Sequence, residues 1–315
     1  MRRDKKQDCK VSSVVIEDQT LRDGIQNEAR ILSVEEKLEI WMMLLNAGVT
    51  RAQVASFVNP KKVPQMANAS EFVGRLIERG YRSFSVLVLN QRGLERAISA
   101  GCKRVEISIS ASDTHSRRNA GMSRDEAIRA MEKMVITAKR AGLFIRAGVQ
   151  CAFGCRYEGK IAEEVVLDIV KRELDLGADE VALADTTGMG NPLQVQELSA
   201  KVLELSGNRP VFLHLHDTEG KGLANAFAAL EVGIRHFDAT VAGTGGCPFI
   251  PGALGNVAME DLVFMLEQMG IATGVDFDSI VKCARFVRQL FGKNFPGRMS
   301  MIYDQLKQYG YSTPG

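Results

Sequence analysis

The chain has little of several things that would define other classes of protein. Tryptophan occurs once, and aromatic residues make up only 6% of its 315 residues, too few for the stacking platforms that hold single-stranded nucleic acids. Charge is almost balanced, with 40 Lys and Arg against 38 Asp and Glu, so the basic excess of a nucleic-acid binder is missing. No apolar run approaches the ~18 residues of a membrane-spanning helix. The first ten residues carry five basic side chains but no apolar centre, which excludes a secretory leader. Asp4, Asp8 and the shortness of the stretch also argue against an organelle transit peptide, leaving a solvated basic tail. The six cysteines (Cys9, Cys102, Cys151, Cys155, Cys247 and Cys283) are too dispersed for a disulfide scaffold, which points to reduced thiols and a cytoplasmic setting. Apolar material is not lacking. With 45% hydrophobic and 25% charged residues, the chain has the composition of an ordinary globular protein and not of a disordered one.

What is present is a repeated alternation of strand and helix. Apolar runs at Val14–Ile16, Val54–Val58, Phe84–Leu89, Val105–Ile109, Phe144–Phe153, Glu180–Ala184, Val211–Leu215 and Phe237–Val241 read as strands. Their near-continuous apolar character suits a parallel sheet covered on both faces. Ser33-Val34-Glu35-Glu36 and Ser123-Arg124-Asp125-Glu126 are capping-box sequences that open helices. Further helices are expected before Gly80 and Gly101 and near 160–177, 192–206, 221–233 and 258–269, with Ser112 to Met122 as a polar loop. Eight such units in roughly 250 residues predict an α/β fold, a closed (β/α)8 barrel. An open doubly wound sheet is the alternative, but Thr20-Leu21-Arg22-Asp23-Gly24 is not the Gly-rich phosphate loop it would need after its first strand. The expected layout is a tail over 1–10, the barrel over 11–275, and a C-terminal helix (Phe277 to Leu290) with a tail over 276–315.

In such a barrel the strands' C-terminal ends carry the chemistry. Asp18, Arg22 and Asp23 follow the first strand, Gln53, Ser56 and Asn59 mark the second, Asp185 ends the sixth, and His214-Leu215-His216 ends the seventh. Residues two apart on a strand share a face, so His214 and His216 can ligate one ion; the bland reading is two core or surface histidines. With Asp23 and Asn256 as oxygen donors, the set suits an octahedral cation such as Mg²⁺ or Mn²⁺, with Zn²⁺ left open. Arg22 is either a stabiliser of developing negative charge or an ion-pair partner at the rim. Asp185 is either a catalytic partner or a helix N-cap. Cys247 lies in a loop with five glycines between Gly243 and Gly255, where a thiol can exchange a proton or simply be a small loop residue. Cys151 and Cys155 form a C-x₃-C pair with no second pair nearby, which favours a packing role over a zinc site.

Taken together and in order, the segments Thr20–Glu28, Ser56–Lys61 with Val63–Met66, Cys151–Gly159, Asp185–Gly188, His214–Asp217 and Gly245–Pro248 resemble 3-hydroxy-3-methylglutaryl-CoA (HMG-CoA) lyases, within a wider barrel group that includes isopropylmalate synthase. The resemblance covers about residues 14–275. It implies a divalent cation held by Asp23, His214, His216 and Asn256, with Arg22, Cys247, His214 and Asp185 as catalytic residues. It implies a substrate site that includes Asp18, Gln26, Gln53, Ser56 and Phe57, an acyl-CoA substrate, and a homodimer. The implied reaction is a retro-Claisen cleavage to acetyl-CoA and acetoacetate. Two departures stand out: this chain has Asp18 and Gln53 where the lyases usually carry glutamates. Gln53 exchanges a carboxylate for an amide and adds two donors, which bears on the choice of 3-hydroxyacyl-CoA. A condensing acyltransferase and a non-catalytic acyl-CoA or metal binder are the competing readings.

Overall fold

The structure is a computed structural model that describes residues 12–246 and 255–309. The basic tail over 1–10 and Cys247 therefore lie outside the described residues. Eight strands, β1 (Val15–Asp18), β2 (Arg51–Ser56), β3 (Phe84–Val88), β4 (Arg104–Ser110), β5 (Phe144–Gln150), β6 (Glu180–Asp185), β7 (Val211–Leu215) and β8 (His236–Ala239), follow one another in chain order. Every adjacent pair is parallel, and β1 pairs with β8, so the sheet is a closed barrel and the open-sheet alternative is excluded. β2 begins three residues earlier than its apolar run, because Arg51 finds carboxylate partners at the mouth of the barrel.

Local chemistry sets the helix starts. Both expected capping boxes form: Ser33 with Glu36, and Ser123 with Glu126, each exchange side-chain and backbone hydrogen bonds. Asn191 caps the helix Pro192–Ser206, with Pro192 at a position where no amide hydrogen is needed. The segment expected as a polar loop, Ser112 to Met122, instead contains a helix, Asp113–Asn119. Ser112 caps it and Asp113 pairs with Arg117 one turn later at 2.7 Å. It lacks an apolar stripe, so periodicity could not reveal it. The C-terminal region also holds more than one helix. After Phe277–Phe291 comes Met299–Gln308, which buries Tyr303 edge-on against Phe277 at 4.9 Å. Among the described residues, no helix is long and apolar enough to cross a membrane.

The barrel interior is polar in layers. At its N-terminal end Arg51 donates to Glu17 and, through both terminal nitrogens, to Glu180 at 2.9 and 2.8 Å. Arg104 reaches Glu180 at 3.3 Å. One level up, Arg146 lies among Glu17, Glu106 and Asp238. The third level, at the C-terminal ends of the strands, is the candidate site.

Candidate active site

The turn after β1 creates the first half of the site. Thr20–Gly24 forms one turn of wide π-helix, closed by the Gly24 amide donating to the Gln19 carbonyl at 3.0 Å. Such turns are frequent at functional positions. All five residues are buried, and the adjacent Arg22 and Asp23 form an ion pair with each other. Asp18 fastens this turn: its carboxylate accepts from the Thr20 amide (2.9 Å) and hydroxyl (2.6 Å). The Thr20 hydroxyl oxygen in turn accepts from the Val241 amide at 2.8 Å. Burial pushes the Asp18 carboxyl up to about 7, against the hydrogen bonds from Thr20.

The His-Leu-His pair behaves as the two-residue spacing requires. His214 Nε2 and His216 Nε2 are 3.2 Å apart and lie 3.7 and 3.5 Å from Asp23 Oδ2. The register of β7 against β8 sets His214 opposite Asp238, whose Oδ2 meets His214 Nδ1 at 3.0 Å. Asn256 arrives from the far side of the last loop. Its amide donates to Asp23 Oδ2 at 2.7 Å and to the Thr244 carbonyl at 3.2 Å. Gly245 is required at this crossing: its φ is +109°, and a Cβ there would stand 2.6 Å from Asn256 Nδ2.

Electrostatics follow from this packing. Burial alone would raise the Asp23 carboxyl, but the Arg22 guanidinium and the two imidazoles hold it well below the usual range. Burial alone would lower His214, but Asp23 and Asp238 raise it to about 9. For His216 burial prevails and the pKa falls.

Asp23, His214 and His216 are the one cluster among the described residues that brings three such ligand atoms within 4.8 Å of one another. Two further atoms bear on a metal. Asn256 Oδ1 and His216 Nδ1 are buried without a hydrogen-bond partner. The amide of Asn256 touches Asp23 through its nitrogen, and its unsatisfied oxygen could join the trio in a mixed N/O donor set of the kind a divalent cation takes. The residues present therefore fit such an ion. Cys151 and Cys155 do not form a comparable cluster. Both are buried, and Cys155 is tied into a tight backbone bridge with Gly159.

The other expected site residues divide. Gln26 Nε2 donates to Asp23 Oδ1 at 2.7 Å, and Gln53 Oε1 accepts from Arg22 Nε, so both reach the cluster. Ser56 ends β2 with its hydroxyl buried and unpartnered. Phe57 is not brought in: it is buried beneath Arg96 of the helix Gln91–Ser99, with the guanidinium 5.3 Å from its ring. Nor is Asp18, whose carboxylate is spent on the turn. Asp185 is the register partner of Leu215 and not of His214. Its Oδ2 accepts from the Gly190 amide at 3.0 Å while Oδ1 is unpartnered, and burial pushes its carboxyl up to about 6. The cap of the next helix is Asn191, so Asp185 is not that cap. Sequence reading missed Gln19, Glu106, Arg146 and Asp238. Their signal was a charged or amide residue inside, or just after, a strand expected to be buried on both faces.

A model of the HMGL-like family matches residues 13–287. The chain is 39% identical over 309 residues to the (R)-citramalyl-CoA lyase of Chloroflexus aurantiacus, covering 94% of this chain and 98% of that one. It is 35% identical over 290 residues to the hydroxymethylglutaryl-CoA lyase YngG of Bacillus subtilis, covering 92% and 97%. Among solved structures, an HMG-CoA lyase from Acinetobacter baumannii in complex with coenzyme A and 3-methylmalate superposes with a TM-score of 0.86 at 35% identity, covering 91% and 94%. Barrel, cluster and relatives agree, and the chain belongs to the HMGL-like family, as an enzyme of its carbon–carbon lyase class.

Proposed function

We propose that this enzyme cleaves a carboxylate-bearing 3-hydroxy-3-methylacyl-CoA ester by retro-Claisen chemistry, releasing acetyl-CoA and an oxo acid. The observation that carries the reading is the placement of Arg22 beside an Asp23–His214–His216–Asn256 donor set that suits a divalent cation. When bound there, Mg²⁺ or Mn²⁺ would supply Lewis acidity toward the substrate's tertiary hydroxyl.

The protein's own groups do the rest. Three of Arg22's five N–H donors are engaged by Gln53, Asp23 and Gln19, which leaves two for an incoming oxygen. As the C–C bond breaks, its electron pair moves to the thioester as an enolate, and the fixed guanidinium stabilises that charge without reorganising. The candidate to take the hydroxyl proton is Asp185, whose raised carboxyl suits a base working near neutrality. His214, the other residue the resemblance offers, has Nδ1 on Asp238 and Nε2 facing Asp23 in the donor set, so its part is to hold and orient. The resemblance assigns the return of a proton to the enolate carbon to Cys247.

HMG-CoA, giving acetoacetate, is the first substrate to offer. A sister reading, citramalyl-CoA giving pyruvate, is favoured by the relative at 39% identity. The test is to incubate purified protein with Mg²⁺ or Mn²⁺ and each ester, and to measure acetyl-CoA together with the oxo acid. Which oxo acid forms decides between the two. Acetyl-CoA from neither ester, with thiol released from acetyl-CoA and a 2-oxo acid, would replace both with the condensing acyltransferase.

A further inference from the structure

A buried ring of side chains joins the two halves of the site from below. Arg22 Nε donates to Gln53 Oε1, and Gln53 Nε2 donates to Glu106 Oε2 at 2.8 Å. Glu106 Oε2 pairs with Arg146 Nε at 3.2 Å, Arg146 pairs with Asp238 Oδ2, and that same oxygen meets His214 Nδ1 at 3.0 Å. Asp23 closes the circle above, ion-paired to Arg22 and 3.7 Å from His214. No ring member is more than 8% exposed.

We propose that Gln53 and Asp238 are positioning residues, the two points at which this ring fixes Arg22 and His214 relative to each other. The chemistry of position 53 follows from its neighbours. A guanidinium only donates, so the atom facing Arg22 must be an acceptor. Glu106 accepts, so the atom facing it must be a donor. An amide satisfies both at once, whereas a glutamate would set two carboxylates against each other at the 2.8 Å contact. Glu106 itself has room because residue 148 is glycine: a Cβ on Gly148 would stand 2.8 Å from Glu106 Oε1. In this chain the amide of the pair thus stands at residue 53 and the carboxylate one step deeper, at residue 106. At the other end, Asp238 orients a proposed metal-ligating imidazole in the manner of a carboxylate–histidine–metal triad.

A charge swap tests the ring. Gln53→Glu should lower kcat by ~10²-fold with KM unchanged, because Arg22 is displaced where charge develops. Glu106→Gln alone should be mild, within about tenfold of the parent, because an amide oxygen in the place of Oε2 still accepts from Gln53 and still faces Arg146. In the double variant Q53E/E106Q the new amide at position 106 can turn its Nε2 to the new carboxylate at position 53, which relieves the carboxylate clash but leaves that nitrogen facing Arg146 Nε. It should recover about tenfold over Q53E alone without reaching the parent, a departure from additivity. Independently of turnover, Asp238→Asn should weaken Mn²⁺ binding to the metal-free protein by ~10–100-fold while cooperative thermal unfolding is retained. A double variant no better than Q53E alone, or D238N binding Mn²⁺ as tightly as the parent, overturns the proposal. The swap rests on the lyase reading and the Mn²⁺ titration does not. An unsubstituted protein that cleaves no ester sinks that reading and leaves the ring to be judged by D238N. Where D238N does not fold, the swap decides.

Discussion

Arg51 at the N-terminal end of the barrel and Arg22 at the C-terminal end are guanidiniums held in different ways. Arg51 faces two carboxylates, one of them bidentate, and stacks on Phe212 at 4.7 Å. Arg22 faces one carboxylate and two amides and keeps two donors in hand. The same contrast runs through both ends. Glu17, Glu180 and Arg104 are paired, whereas Gln19 Nε2, Ser56 Oγ, Asp185 Oδ1, His216 Nδ1, Thr244 Oγ1 and Asn256 Oδ1 are buried at the C-terminal end without partners. Each such orphan costs free energy in the folded state. One end is therefore built for stability, and the other withholds pairing where a ligand would complete it.

The contrast can be broken at either end. The largest effect is expected at the open end: Arg22→Gln should reduce turnover by ~10²–10³-fold, the loss seen when one preorganised donor is removed. Bound metal, measured by elemental analysis, should be unchanged; near-normal turnover would sink the role given to Arg22. At the closed end, Glu180→Ala removes the carboxylate partner of Arg104 and leaves Arg51 with Glu17 alone, and should cost about 3 kcal/mol in denaturant unfolding. Mn²⁺ affinity should not move, and a matching loss of affinity would show that the two ends are not separable.

Asn256→Ala should show the reverse pattern. Mn²⁺ binding should weaken by about tenfold or more, while stability shifts by less than ~1 kcal/mol because an orphaned oxygen is removed along with two hydrogen bonds. Unaltered Mn²⁺ binding would take Asn256 out of the donor set. The smallest effect is expected on the wall between the ends. Glu173, buried on the helix Glu163–Asp175, has both carboxylate oxygens unpartnered, and burial raises its pKa well above the usual range. Above the ordinary carboxylate pKa the unfolded chain gives up this proton while the folded chain keeps it. This contribution to stability therefore falls as pH rises toward the folded-state pKa. Glu173→Gln should raise the melting temperature more at pH 8 than at pH 5, by the equivalent of ~1 kcal/mol. An equal gain at both pH values would mean that the carboxyl is not the cause.

Much of this was legible beforehand, for local reasons. The apolar runs, the capping boxes at Ser33 and Ser123, and the shared face of His214 and His216 each depend on residues within a few positions of one another. What was not legible has a common origin too. The helix Asp113–Asn119 has no apolar stripe to show. Asp18 ends a strand, where a barrel carries its chemistry, and its carboxylate holds Thr20 of the π-turn, a contact that the sequence does not show. Phe57 lies one residue beyond the end of β2 and packs against the neighbouring helix.

The sequence alone determined the eight-unit alternation, the chemical type of the cluster and the family it resembles, because strand periodicity, helix caps and short motifs are written within single segments. Only the tertiary structure decided what each polar group faces. Gln53 meets Glu106 53 positions away, and Arg146 meets Asp238 92 positions away. Those meetings depend on strand register and on β1 closing against β8. Shifting a strand by one residue would turn every side chain to the other face, and no local pattern specifies which register eight strands settle into together.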